Sequence, residues 1–170
     1  MTISENRFVH VDSSKCLGCK SCEMACGLSH QELDLFHVAL HGHKLEQRIV
    51  VKHSEQGPTT VQCRHCEDAP CVHVCPVNAL YYQAGTVQLS EEACIGCRLC
   101  TQACPFSAIQ VRVKSRLEGG KEVKKPTALK CDLCISRSGA VSEEGCACIQ
   151  SCPVNAMKLI TEAEYQHKIC

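Results

Sequence analysis

The chain has 170 residues and 18 cysteines, only 4% aromatic residues and no tryptophan, so few large side chains remain to fill a core and something bound by the cysteines must occupy the middle. Lys and Arg balance Asp and Glu at 18 each, for a formal net charge of zero; scattered basic residues with few stacking aromatics exclude a nucleic-acid binder. No apolar run approaches a membrane span, and Met1-Thr2-Ile3-Ser4-Glu5-Asn6-Arg7 has no apolar signal region, so a cytoplasmic chain is expected whose cysteines are metal ligands rather than disulfides.

Residues 7–12 alternate and predict a short strand leading into a first cysteine run, Cys16-x2-Cys19-x2-Cys22-x3-Cys26. Gly27 stands where later runs carry proline, so a short helix through Cys22 and Cys26 is expected to continue towards His30. Residues 31–58 contain no cysteine and hold His37, His41, His43 and His53; they read as an insertion with a strand at 48–53 and a turn at Gln56-Gly57-Pro58. His41-Gly42-His43 has no cysteine or carboxylate pair spaced to complete a metal site, so these histidines are expected to face solvent or a partner.

The second run is Cys63-x2-Cys66-x4-Cys71-x3-Cys75-Pro76, with Asp68-Ala69-Pro70 in its lengthened middle gap. Residues 79–82 and 86–89 predict a hairpin around a turn at Gln83-Ala84-Gly85. The third run is Cys94-x2-Cys97-x2-Cys100-x3-Cys104-Pro105, followed by a strand at 108–113, a flexible turn at 117–121 and a solvated basic strand at 121–125. The fourth opens with Cys131-x2-Cys134, crosses a polar loop and closes with Cys148-x3-Cys152-Pro153. A strand is expected at 154–160, and Thr161-Glu162-Ala163-Glu164 has the capping-box spacing of a short helix over the last ten residues.

Three cysteines at three-residue steps lie in one tight loop, so their sulfurs can converge, while the fourth is thrown further along and the proline ends the local structure. This is the C-x2-C-x2-C-x3-C-P run of bacterial ferredoxins, whose first three thiolates hold one cubane iron–sulfur cluster and whose fourth reaches another. Zinc ribbons use isolated C-x2-C pairs but do not need this run repeated in register. The repeat extends past each closing cysteine, as Pro76-Val77-Asn78-Ala79-Leu80, Pro105-Phe106-Ser107-Ala108-Ile109 and Pro153-Val154-Asn155-Ala156-Met157.

Runs two and three are adjacent, as in a two-cluster ferredoxin. Exchange of fourth ligands groups Cys63, Cys66, Cys71 with Cys104, and Cys94, Cys97, Cys100 with Cys75. Runs one and four then pair across them, grouping Cys16, Cys19, Cys22 with Cys152, and Cys131, Cys134, Cys148 with Cys26. The expected fold is α+β, two nested bis-[4Fe-4S] ferredoxin-like modules with short strands and helices around the clusters. Residues 7–30 and 126–160 form the outer module, 59–113 the inner, 31–58 an insertion and 161–170 a C-terminal tail. Insertion and tail are not needed to hold clusters and are therefore candidates for partner contacts. Cys146 and Cys170 are left as free thiols, since only Cys148 reproduces the x3-Cys-Pro unit. Lys20, Arg64 and Arg98 lie inside the runs and either tune potentials or are surface residues. Four thiolate-bound cores would bring the net charge to about −8. No dinucleotide loop, nucleophile–base pair or carboxylate–histidine metal triad is present, so no catalysis is expected.

The four runs in this order, with Glu67-Asp68-Ala69-Pro70-Cys71 and Lys130-Cys131-Asp132-Leu133-Cys134, resemble the four-cluster electron-transfer subunits of the dimethyl sulfoxide reductase and formate dehydrogenase families. The compact soluble branch serving formate hydrogenlyase and carbon monoxide dehydrogenase–hydrogenase systems is the nearest match, over residues 7–160. The resemblance implies four [4Fe-4S] clusters in line, the same nested pairing, and partners that hold the catalytic metal. Those partners would be formate dehydrogenase (Mo/W) or hydrogenase subunits, with a second four-cluster subunit as a further candidate. An accessory protein for maturing such enzymes is the alternative. One departure is Cys146, where relatives usually have proline two residues before the third ligand of run four.

Overall fold

Loops that must turn sulfurs inward every third residue leave little chain for long elements. The computed structural model describes residues 6–55, 57–118 and 121–169 and consists of short helices and four two-stranded antiparallel sheets. In chain order the elements are β1 (Arg7–Val11), α1 (Ser21–Gln31), α2 (Leu35–His41), β2 (Val50–Ser54), β3 (Gly57–Val61), α3 (Pro70–His73), β4 (Leu80–Gln83) and β5 (Thr86–Leu89). They continue with α4 (Leu99–Ala103), β6 (Gln110–Glu118), β7 (Lys121–Leu129), α5 (Ile135–Ser138), α6 (Ala147–Gln150), β8 (Met157–Thr161) and α7 (Glu162–Ile169).

The first and last strands pair: β1 lies antiparallel to β8, with Val9 opposite Leu159. Near the middle of the chain, β4 and β5 form the expected hairpin, with Leu80 opposite Leu89. Two clusters of buried residues follow from this connectivity. One joins Val9, Cys22, Ile49, Leu133, Cys148 and Met157, drawn from both ends of the chain. The other joins Cys71, Leu80, Val87, Cys94, Cys100 and Ile109 from its centre. Helix packing repeats the pattern, α1 lying against α6 and α3 against α4.

The structure departs from the sequence reading in four places. Gly57 and Pro58 open β3 instead of making the turn, because Ser54 Oγ donates to Gly57 O at 3.0 Å and the Ser54–Gly57 pair closes the hairpin. Proline is tolerated there because a two-stranded sheet has free edges that need no N–H. The strand expected at 154–160 starts later, at Met157, since Asn155 is left-handed with φ 50°. Likewise β6 starts at Gln110, past a left-handed Ser107, and runs far beyond residue 113 as one arm of a long hairpin with β7. The basic stretch is the start of β7, and Gly119 and Gly120 of the expected turn lie outside the described residues. Finally, the insertion divides: Ile49 and Val51 join the first buried cluster, whereas α2 buries none of its residues.

At the end of the chain the capping box forms as expected. Glu164 N donates to Thr161 Oγ1 at 3.2 Å, and Thr161 N donates to Glu164 Oε2 at 2.8 Å.

Candidate metal centres

Each cysteine run begins with the same backbone device. The residue two places after the first cysteine has positive φ in all four: Gly18 at 66°, His65 at 50°, Gly96 at 67° and Leu133 at 56°. This left-handed step folds the loop back on its own sulfur, so His65 N donates to Cys63 Sγ and Leu133 N to Cys131 Sγ, each at 3.4 Å. A second device follows the closing cysteine. Asn78, Ser107 and Asn155 are left-handed at φ 50°, 51° and 50°, a region short polar side chains enter more readily than most. The next amides then turn inward: Ala79 N, Ala108 N and Ala156 N donate to the sulfurs of Cys75, Cys104 and Cys152 at 3.2, 3.4 and 3.3 Å.

Run one lacks the proline, and α1 continues through Gly27 to Gln31. The amide on Cys26 Sγ comes instead from Arg48, at 3.3 Å. The insertion therefore completes the shell of a run that cannot complete its own.

Cysteines of different runs come together. Cys16, Cys19, Cys22 and Cys152 line one pocket, beside Leu17 and Val51. Cys94, Cys97, Cys100 and Cys75 line its twin, beside Ile95 and Val111. In the third group the Cys71 thiol is pushed up to about 12, by burial first and then by Cys63, Cys104 and Cys66. In the fourth, burial followed by Cys148 and Cys26 holds the Cys131 thiol well above its ordinary value. Burial, then Cys26, Cys134 and Cys22, does the same to Cys148. These sulfurs are close enough to oppose one another's ionisation, a conflict that a cationic core among them removes. All-thiolate sets, apolar walls and amides aimed at sulfur fit an iron–sulfur cluster.

Exposure differs among the groups. Cys19 and Cys97 are exposed, whereas Cys26, Cys134 and Cys148 are buried.

Around the fourth group lie residues that the sequence reading missed. His30 sits one turn after Cys26, with Nδ1 2.8 Å from Cys26 O and 3.7 Å from Cys26 Sγ, and Nε2 3.0 Å from Asp132 Oδ1. Arg48 Nη1 closes on Asp132 Oδ2 at 2.9 Å. Burial alone would lower the His30 pKa, but Asp132 and the sulfurs of Cys134 and Cys26 outweigh it and push it up to about 11. The ligand atoms of His30, Asp132 and Cys134 lie within 4.8 Å of one another, yet His30 and Asp132 are already engaged with Cys26 and Arg48. The spacing of Cys26 and His30, four residues apart on a helix, was the readable signal.

Cys146 is 1% exposed and donates its S–H to Leu133 O at 3.6 Å. That S–H is shared with Cys134, and this contact, with His30 adding to it, holds the Cys134 thiol below its ordinary value. Lys130, 2% exposed, donates Nζ to Cys131 O at 2.7 Å and to Val87 O. Lys20 and Arg98 take matching left-handed positions ahead of α1 and α4. Arg64 is enclosed: its guanidinium lies 5.0, 4.8 and 4.4 Å from the ring centres of Phe8, Phe106 and Tyr165.

A 4Fe-4S dicluster domain matches residues 58–162, and a 4Fe-4S binding domain matches residues 13–29. The chain belongs to the 4Fe-4S dicluster family. Among relatives of this dicluster protein, electron transport protein HydN of Escherichia coli (strain K12) is 41% identical over 157 residues, covering 89% of this chain and 86% of HydN. An iron-sulfur protein of Rhodospirillum rubrum is 36% identical over 165 residues, covering 96% and 87%. Formate hydrogenlyase subunit 2 of E. coli (strain K12) is 35% identical over 183 residues, covering 94% and 84%. Two longer relatives, named as candidate oxidoreductases, are matched over 22% of their length. The resemblance carried by the cysteine runs holds: this is a ferredoxin-like electron-transfer protein that binds [4Fe-4S] clusters. Among the described residues no helix is long and apolar enough to cross a membrane.

Proposed function

We propose that this dicluster-family chain is a non-catalytic, cytoplasmic subunit that carries four [4Fe-4S] clusters and relays electrons between a Mo/W formate dehydrogenase and a hydrogenase or similar enzyme. The names of HydN and formate hydrogenlyase subunit 2 support the formate and hydrogen setting. Cys16, Cys19, Cys22 and Cys152 would hold one cluster, and Cys131, Cys134, Cys148 and Cys26 its neighbour in an outer module. Cys63, Cys66, Cys71 and Cys104 would hold a third, and Cys94, Cys97, Cys100 and Cys75 a fourth, in an inner module nested between runs one and four. The observation that carries this reading is the pair of twin cavities, each closed by three cysteines of one run and the last cysteine of another. A bound [4Fe-4S] cluster supplies one-electron chemistry, and the protein's part is to position and insulate it.

Anaerobic reconstitution tests the count: about 16 iron and 16 sulfide per chain are expected from four cubanes. Iron near eight, or zinc in stoichiometric amount, overturns the four-cluster assignment. Stable copurification with stoichiometric catalytic subunits is expected of a relay subunit, whereas transient association alone identifies an accessory protein.

A further inference from the structure

The exposed helix α2 carries a cluster of imidazoles that the relay reading does not use. Asp34 caps its start, the carboxylate accepting from His37 N at 2.7 Å. Gly42 ends it in the left-handed region at φ 66°, and His43 N donates back to Val38 O at 3.3 Å. That reversal is the glycine-capped ending that folds the next residue over the last turn. His37 and His41, four residues apart, already share a helix face; the reversal lays His43 on His37. The ring centres stand 4.5 Å apart for His37–His41, 5.1 Å for His37–His43 and 5.9 Å for His41–His43.

Those spacings have a chemical meaning. An ion bound to imidazole nitrogens at about 2.0–2.1 Å holds each ring centre about 3.2 Å away, and tetrahedral angles then set the ring centres about 5.2 Å from one another. The three observed distances bracket that value. What remains is orientation, since His37 and His43 are stacked at 9° and their nitrogens must turn to a common point. All three side chains are exposed, so the rings are free to turn and water can take a fourth position.

We propose that His37, His41 and His43 form a site for a divalent first-row transition ion of the imidazole-preferring class, such as zinc or nickel. The sequence showed only His41-Gly42-His43. The third ligand is supplied by a helix whose burial pattern gave no sign of it. The site is separate from the cysteine groups and stands or falls independently of how many clusters they hold.

The test is a titration of zinc ion into the anaerobically cluster-loaded full chain, with iron measured in parallel. The expected result is one zinc per chain kept through gel filtration, with iron unchanged and a zinc K-edge spectrum showing a nitrogen and oxygen shell with imidazole scattering. The double variant His37→Gln/His41→Gln should weaken zinc binding at least about tenfold, since losing even an outer-shell partner costs that much. His43→Gln, which lies outside the helix and cannot unfold it, should do likewise, while His53→Gln should bind as the parent does. Sulfur in the zinc shell, unchanged affinity in the histidine variants, or no retained zinc overturns the proposal.

Discussion

At Gly96 there is no room for a methyl group. A Cβ there would lie 2.5 Å from Pro126 O, and the residue also sits at φ +67°. Gly18 is its counterpart in run one, but the Cβ it would gain meets His53 Cε1 at 2.7 Å, a side chain that can turn away. Both alanine variants incur the left-handed penalty of about 1–2 kcal/mol; only Gly96→Ala must also displace backbone. Iron release to a chelator should therefore be faster in Gly96→Ala than in Gly18→Ala, and both faster than in the parent. Equal rates would mean that β7 yields at Pro126 as easily as His53 does. The choice between Cys146 and Cys148 is likewise local. Cys148→Ser should lose or convert one cluster, while Cys146→Ser should keep all four and lose only the S–H donated to Leu133 O and towards Cys134. Iron counts and EPR showing the reverse would put the ligand at Cys146.

Among the elements, α7 is held to the body of the chain through Tyr165. Tyr165 meets Phe8 edge-on with ring centres 5.6 Å apart, covers the Arg64 guanidinium, and accepts a hydrogen bond from Arg64 Nη2 on its hydroxyl at 3.2 Å. The helix thus clasps β1 to run two. Tyr165→Leu should destabilise the cluster-loaded protein by roughly 1–3 kcal/mol, the sum of an aromatic pair and a cation–π contact. Tyr165→Phe, which keeps the ring, should cost less, and thermal unfolding of the two variants measures the difference. A drop as large for phenylalanine as for leucine would assign the clasp to the hydroxyl alone. This element also marks what a sequence can reveal. The capping box that starts α7 was legible because its two residues lie three apart; the Arg64–Tyr165 contact joins residues 101 apart and had no local signature. The same contrast holds elsewhere. The cysteine runs of a [4Fe-4S] protein were readable because the same unit recurs in register, and the β4–β5 hairpin because its turn and strands are contiguous. Helix α2 was missed because Leu35, Phe36 and Leu40 are exposed, so its apolar residues draw no stripe for a buried face; its caps, Asp34 and Gly42, were the signals present.

At the scale of the whole molecule, exposure sets where electrons can leave. Of the sixteen cysteines proposed as ligands, only Cys19 and Cys97 are exposed, one in each of the twin pockets. Each has an exposed aliphatic residue beside it, Leu17 at 65% and Ile95 at 53%. The group built on Cys131, by contrast, has Cys26, Cys134 and Cys148 all buried. An electron passes to a partner only where the donor's centre is held close to the partner's own cofactor, so in the proposed line a buried group serves the interior and an exposed one serves an end. Runs one and three should therefore present the two exits, and the aliphatic residues there should be covered when a partner docks. Leu17→Lys and Ile95→Lys each place a charge on one exit without replacing a cysteine, and an iron count of each variant separates loss of cluster from loss of docking. Each variant should lower the coupled activity of the complex while the viologen-linked activity of each partner enzyme is unchanged. Separate assays of the two half-reactions through the bound subunit should show Leu17→Lys failing with one partner and Ile95→Lys with the other. Loss with the same partner in both would place the two surfaces in one interface and leave the line with a single exit. Full coupling in both would move docking to another surface, for which the exposed face of α2 is the next candidate.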